Sequence, residues 1–334
     1  MGKFVWCWPG SLEMTRRHLF AVAFAGAGGM LECSAKRSPL GAKLASMTER
    51  LDLAIIPTLW TNGLPPEAVS ASGEKVGKLL LADHPWCLCV SPDGTWVAWV
   101  PRASQPPPLG VGDLRVLFND AKSGNKTIRL GRGYPEQLSM SSGADHLALI
   151  TIAGVPSEAR LLVLNSSSGQ VESDMTGLIS RFGAPDIDCL RISSSGRYLA
   201  VGTKEQFVVI DVQPGRVLLE SSGRYPSLSP LGDSVAFVNK EQELVAISLV
   251  TRTSRKLMTG WWSTLGLGSW SPDGTFLLAG VRGRFSVFTK LVAIDCTTGE
   301  FVAIVPRLEE GNLGERSAWV KRPLLTQRNR NRVN

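Results

Sequence analysis

The chain has 334 residues and 43% hydrophobic content, enough for a sizeable core and longer than an ordinary single domain. Glycine (34) and proline (20) signal many turns but stay below the composition of disordered chains. The net charge of +7 sits mainly in the segment from Arg316 on, which holds six bases and no acid, while residues 36–315 balance 27 bases against 27 acids; a neutral body gives no electrostatic case for nucleic acid.

Thr15-Arg16-Arg17-His18-Leu19-Phe20 opens an apolar run from Leu19 to Leu31. About 13 residues are too few to span a bilayer as a helix but suit the apolar region of a signal peptide. The polar-Arg-Arg-x-apolar pattern resembles the bacterial twin-arginine export signal, with Cys33-Ser34-Ala35 as small residues at a cleavage site and Met14 as an alternative start. Lipidation at Cys33 is a second reading, opposed by Glu32 before it; an uncleaved anchor or a chance Arg-Arg pair is a third. Export places the chain in the periplasm or outside the cell. The division expected is an export signal over 1–35, a linker over 36–50, a folded body over 51–322 and a basic flexible tail over 323–334.

Export implies an oxidising compartment. Four cysteines lie beyond the leader: Cys87, Cys89, Cys189 and Cys296. Cys87 and Cys89 share one face of a predicted strand, and neither their spacing nor a nearby histidine suggests zinc. Buried, unpaired thiols are expected.

SPDGTWVAW at Ser91–Trp99 returns as SPDGTFLLAG at Ser271–Gly280. Weaker copies start at Ser141, Ser193 and Ser229, so the five serines are 50, 52, 36 and 42 residues apart, a period of repeated supersecondary units. Each copy has hairpin chemistry: a φ-fixing proline or its substitute, a side chain that bonds the turn backbone, and glycine for the left-handed position. Alanine recurs in the second strand at 98, 148, 200 and 236, with Leu278 in the fifth copy; a small residue there lets neighbouring sheets approach. A second turn follows in each unit, Asp or Asn with glycine four later: Asp120/Gly124, Asn165/Gly169, Asp211/Gly215 and Asp295/Gly299, with Ser248 and Arg252 in the fourth unit.

Each unit therefore reads as a four-stranded antiparallel meander, and meanders repeated every 40–50 residues predict an all-β propeller. Residues 86–305, through these SPDG copies, resemble the TolB-type WD40-like repeat family. Only some 50 residues follow the leader before the first copy, too few for the α/β domain that precedes the propeller in TolB, so the resemblance is to the propeller and not to TolB itself. Six four-stranded blades are expected. Ser317–Val320 supplies the last innermost strand, and Leu51–Trp60 with Val76–Leu81 the rest of a blade built from both chain ends, which leaves no free sheet edge.

The turn residues Ser91, Asp93, Gly94, Ser271, Asp273 and Gly274 are read as structural. The spacing misses the sialidase Asp-box by one residue, and that box is itself a structural turn. His84 and His146 lack partners at ligand spacing; no nucleophile elbow, P-loop or dinucleotide fingerprint occurs. No catalytic residue, metal or cofactor is assigned.

The connections between blades repeat arginine, an aromatic and proline: Arg132-Gly133-Tyr134-Pro135, Arg181-Phe182-Gly183-Ala184-Pro185 and Arg224-Tyr225-Pro226, with Gly260-Trp261-Trp262 as the fourth. Arginine and aromatics dominate interface energetics. Arg132, Tyr134, Arg181, Phe182, Arg224, Tyr225, Trp261 and Trp262 are therefore the candidate binding residues. The expected function is an exported, non-enzymatic and monomeric propeller that binds a protein or peptide on the connection face, with no membrane span in the mature chain. The alternatives are a channel-centred hydrolase or lyase, which needs three or more acids or histidines at the mouth, and a scaffold without a ligand.

Overall fold

The computed structural model describes residues 38–59, 65–81, 85–101, 113–120, 124–132, 134–152, 159–180, 187–258, 262–283, 286, 288–308 and 316–327. The leader, the proline loop after Arg102, His84, Arg181, Phe182 and Trp261 lie outside them.

Helix α1 (Pro39–Arg50) comes first, then β1 (Leu53–Ile56), β2 (Glu67–Val69) and β3 (Lys75–Leu79). Blade 1 is β4 (Pro85–Val90), β5 (Trp96–Pro101), β6 (Asp113–Asp120) and β7 (Gly124–Arg132). Blade 2 is β8 (Tyr134–Met140), β9 (His146–Ile152), β10 (Ala159–Asn165) and β11 (Val171–Asp174), followed by the single turn α2 (Thr176–Ile179). Blade 3 is β12 (Ile187–Ile192), β13 (Tyr198–Thr203), β14 (Gln206–Asp211) and β15 (Arg216–Ser222). Blade 4 is β16 (Arg224–Leu228), β17 (Ser234–Val238), β18 (Leu244–Ser248) and β19 (Ser254–Lys256). Blade 5 is β20 (Trp262–Trp270), β21 (Phe276–Gly283), β22 (Lys290–Asp295) and β23 (Phe301–Val305), after which come β24 (Ala318–Lys321) and β25 (Leu325–Gln327).

Blades 1 to 5 are antiparallel meanders with their first strand innermost. The closing sixth blade takes its innermost strand, β24, from the end of the chain and pairs it with β1, β2 and β3 from the start. The innermost strands β4, β8, β12, β16, β20 and β24 touch their neighbours round the full circle. The chain is thus a six-bladed β-propeller, with its circle locked by strands far apart in sequence.

The closing blade carries a fifth strand. β25 pairs with the outer edge of β3, and Leu324 and Leu325 are buried. Leu325–Gln327, expected in the basic tail, are therefore part of the sheet, and the two leucines after Pro323 fill the interface with blade 1. Residues 36–50, expected as a linker, contain α1: Ser38 caps it by accepting the Gly41 N–H at 3.0 Å, Pro39 occupies its first turn, and Leu44 and Met47 are buried against blade 5 and the closing blade.

Six apolar clusters hold the described residues together, one between each pair of neighbouring blades. Blade faces are covered on both sides, so strands such as β14 and β22 read as continuous apolar runs. Ala98, Ala148, Ala200, Ala236 and Leu278 are all fully buried and each faces the following blade, as the expected close packing requires.

The SPDG turns are built by side chains. The turn serines at 91, 141, 193, 229 and 271 are buried, and each hydroxyl oxygen accepts the backbone N–H five residues on, at 2.9–3.1 Å. Asp93 and Asp273 accept from the serine hydroxyl, at 2.5 and 2.8 Å, and from the N–H of Thr95 and Thr275. Gly94 and Gly274 both have φ of +73°. Gly94 also packs on Trp319 of the closing blade, and its carbonyl accepts the Lys321 N–H at 2.8 Å.

Candidate interaction face at the channel mouth

Each innermost strand of blades 1 to 5 runs from the connection face, where it enters from the previous blade, to the face of the SPDG turns. Near its start the pairing with the second strand slips by one residue. The slips fall between Pro85 and Cys87, Pro135 and Gln137, Ile187 and Cys189, Arg224 and Ser227, and Thr264 and Gly266. A β-bulge at this place frees a residue from the ladder and re-aims it. The bulged positions hold Trp86, Glu136, Asp188, Tyr225-Pro226 and Leu265. The backbone device repeats from blade to blade and the chemistry does not. A residue kept for folding should repeat, as the turn serine does; this one differs each time.

Farther along the strands, side chains stitch the ring. Ser139 accepts the Ile192 N–H at 3.0 Å, the Ser227 hydroxyl donates to the Gly268 carbonyl at 2.9 Å, and Ser269 accepts the Trp319 N–H at 3.3 Å. Trp270 Nε1 donates to the Ser227 carbonyl and Trp319 Nε1 to the Ser269 carbonyl, both at 3.1 Å. The axial cavity, lined among others by Glu136, Met140, Arg191, Trp270 and Arg316, offers about 80 Å³ to water-sized molecules. That suits ordered water or one small group, not a larger ligand.

Burial raises the Glu136 carboxyl above its ordinary range. Burial also raises that of Asp188, even though Lys204, Arg316 and Arg224 lie close enough to oppose it. The Oδ1 of Asp188 has no hydrogen-bond partner. At the start of β16, Arg224 donates through Nη2 to the Gln242 side-chain oxygen and its guanidinium lies 5.4 Å from the Tyr225 ring centre. Its Nε is buried without an acceptor. Tyr225 takes a left-handed φ of +55°, a conformation that costs free energy in a non-glycine residue and concentrates at functional sites.

Of the candidate binding residues, Arg132 ends β7, Tyr134 opens β8, Arg224 and Tyr225 open β16, and Trp262 opens β20; the topology puts all five at the connection face. Arg181, Phe182 and Trp261 lie outside the described residues. Sequence reading missed Trp86, Glu136 and Asp188. A signal for them was present: each lies five residues before a turn serine, a position that the repeat marks without repeating its residue. His146 sits at the opposite face, with Nδ1 2.7 Å from Glu172 and its ring against Gly196. Among the described residues, no group of three or more His, Cys, Asp or Glu side chains is arranged to hold a metal, and Cys87, Cys89, Cys189 and Cys296 are buried. Burial pushes the Cys89 and Cys296 thiols up to about 12 and that of Cys87 higher still, so they stay protonated and poorly nucleophilic.

No protein-family model matches the chain, and no curated protein matches it in sequence. The crystal structure of TolB from Acinetobacter baumannii superposes with a TM-score of 0.52 at 16% identity, covering 80% of this chain and 66% of that one. The propeller fold is thus TolB-like, and the chain spans just under two thirds of the length of that structure.

Proposed function

We propose that this chain is an exported, non-enzymatic β-propeller of the TolB-type repeat class that receives a protein or peptide segment on its connection face. One observation carries the reading: the bulges at equivalent places hold different residues, and four of the five leave a side chain at least partly exposed around the channel mouth. They combine an exposed aromatic, Trp86, with two half-buried carboxylates and the Arg224-Tyr225 pair. Such a mixture of aromatic and charged anchors around a narrow opening fits an extended polypeptide better than a small molecule. The channel-centred enzyme needs three acids or histidines at the mouth; the described residues bring Glu136 and Asp188. The Arg16-Arg17 leader supports export. Among the described residues no helix is long and apolar enough to cross a membrane.

A photo-crosslinking amino acid at Trp86 tests the face, with Leu231 as the control. Leu231 is exposed on the opposite, SPDG-turn face. Position 86 should capture a discrete partner in cells and position 231 should not. Capture only from position 231 would put the interaction on the wrong side and sink the reading.

A further inference from the structure

Between blades 3 and 4 a groove of about 630 Å³ opens on the connection face. Its cations are Lys204, Arg224 and Lys240, set against the glutamates Glu205 and Glu220. Among the described residues none of the three cations is in an ion pair. Burial raises the carboxyl of the neighbouring Asp188, although Lys204 and Arg224 lie close enough to oppose it. A guanidinium flanked by two ammonium groups, none of the three held in an ion pair, can receive a carboxylate from a ligand.

Arg224 is the fixed element of this site. Gly223, with φ of +142°, brings the chain so close to blade 4 that a Cβ there would strike the Phe237 ring. The left-handed Tyr225 then turns the strand. On the other side the tip of the β17–β18 turn holds the guanidinium through the Gln242 side chain, while the Gln242 carbonyl accepts the Thr264 N–H of blade 5 at 3.1 Å. The guanidinium is thus positioned by two blades, yet its Nε has no acceptor. Nε is closed to an incoming ligand, so a planar carboxylate entering the groove would pair with the terminal nitrogens of the guanidinium.

We infer that Arg224, flanked by Lys204 and Lys240, is a carboxylate-docking subsite for the polypeptide partner, taking an acidic side chain or a free C-terminus. This rests on the connection face being the peptide-binding surface.

The full chain, labelled with ¹⁵N so that the Arg224 Nε–H is read directly, is titrated with four probes. They are a hexaglutamate capped at both ends, an N-acetylated hexaserine with a free C-terminal carboxylate, the same hexaserine amidated, and inorganic phosphate. The two carboxylate peptides should move the Arg224 Nε–H signal and the amidated peptide should not; which of the two binds tighter distinguishes side chain from terminus. Arg224→Ala should weaken that binding about tenfold, the scale of one bidentate charge-assisted contact. Arg224→Lys should also weaken it, since the charge remains and the fork does not. The lysine variant keeps the question answerable if the alanine variant fails to fold. Unchanged binding in the folded variants, or a response to phosphate alone, overturns the inference. If Trp86 crosslinks a partner while the carboxylate probes ignore Arg224, the carboxylate subsite falls and the peptide-binding face stands.

Discussion

A buried serine organises each SPDG turn because the chain would otherwise bury an N–H with nothing to accept it. The hydroxyl supplies the acceptor five residues on, and an unmet buried donor costs about 1–3 kcal/mol. The second marked turn works in the same way. Asn165 and Asp295 accept two turn N–H groups each, and Gly169 and Gly299 adopt φ of +73° and +76°. Blade 4 keeps this conformation without its residues: Ser248 accepts the Thr251 N–H at 3.1 Å, and Arg252 stands in the glycine place with φ of +62°. The left-handed conformation costs a side-chain-bearing residue about 1–2 kcal/mol. Arg252→Gly should therefore stabilise the protein, by up to about 1 kcal/mol once the greater freedom of glycine in the unfolded chain is deducted. An increased urea midpoint at unchanged slope would show it; a loss of stability would mean that Arg252 makes a contact worth more than its strain.

Helix α1 shows how an element is placed by charges as well as by its apolar stripe. Leu40, Leu44, Met47 and Leu51 pack toward the interface of blade 5 with the closing blade. Lys43 bonds the buried carboxylate of Asp295 and lies over the Phe276 ring, and Arg50 reaches Asp273 at 2.8 Å. Burial alone would raise the Asp295 carboxyl, but Lys43 and the N–H groups of Thr297 and Thr298 outweigh it and hold the carboxyl below its usual range. A carboxylate with a depressed folded value adds stability above its unfolded value of about 3.9 and loses it as the pH falls through the folded value. Lys43→Met keeps the stem over Phe276 and removes the charge. It should cost about 1–2 kcal/mol near neutral pH, at the lower end because Lys43 is half exposed. The gap from the wild type should close as the pH is taken below the carboxylate range, and melting temperatures followed from pH 7 to pH 2 would reveal it. A gap that does not change with pH would remove the ion pair from the account.

At the scale of the whole molecule, stability rests on the joint between the two ends of the chain. β24 pairs with β1 over Leu53–Ile56, Arg322 donates from its backbone N–H to the Asp52 carbonyl at 3.0 Å, and Lys321 reaches the Leu51 carbonyl. The joint holds at its centre by Trp319, which is 1% exposed, packs between blade 5 and the closing blade and bonds Ser269 through Nε1. Trp319→Ala should cost about 3–5 kcal/mol, the usual range for truncating a buried aromatic. It should do so in one cooperative transition, since an opened circle exposes sheet edges on both sides of the gap. Denaturant melts compared with Trp96→Ala, whose side chain is half-buried, would rank the two; an equal or smaller loss at Trp319 would show that the closing blade is not what holds the circle.

The repeated turns, the strands around them, the number of blades and the closure by both chain ends were all legible in the residues. These features depend on local chemistry that recurs every 36 to 52 positions: a serine before its turn, glycine where φ is positive, alanine where the next blade presses. Local rules also placed Arg224 and Tyr225 at a blade-to-blade connection, and both open β16 there. Only the tertiary structure decided that residues 36–50 contain a docked helix, since its stripe has meaning only against blade 5. The chemistry of the mouth was likewise beyond the sequence. Glu136 and Asp188 come from different blades, as do Lys204 and Lys240, and each looks like an ordinary strand or loop residue until the circle closes. Bulges, burial and the opposing cations give these groups their properties, and all three arise from contacts between residues far apart in the chain.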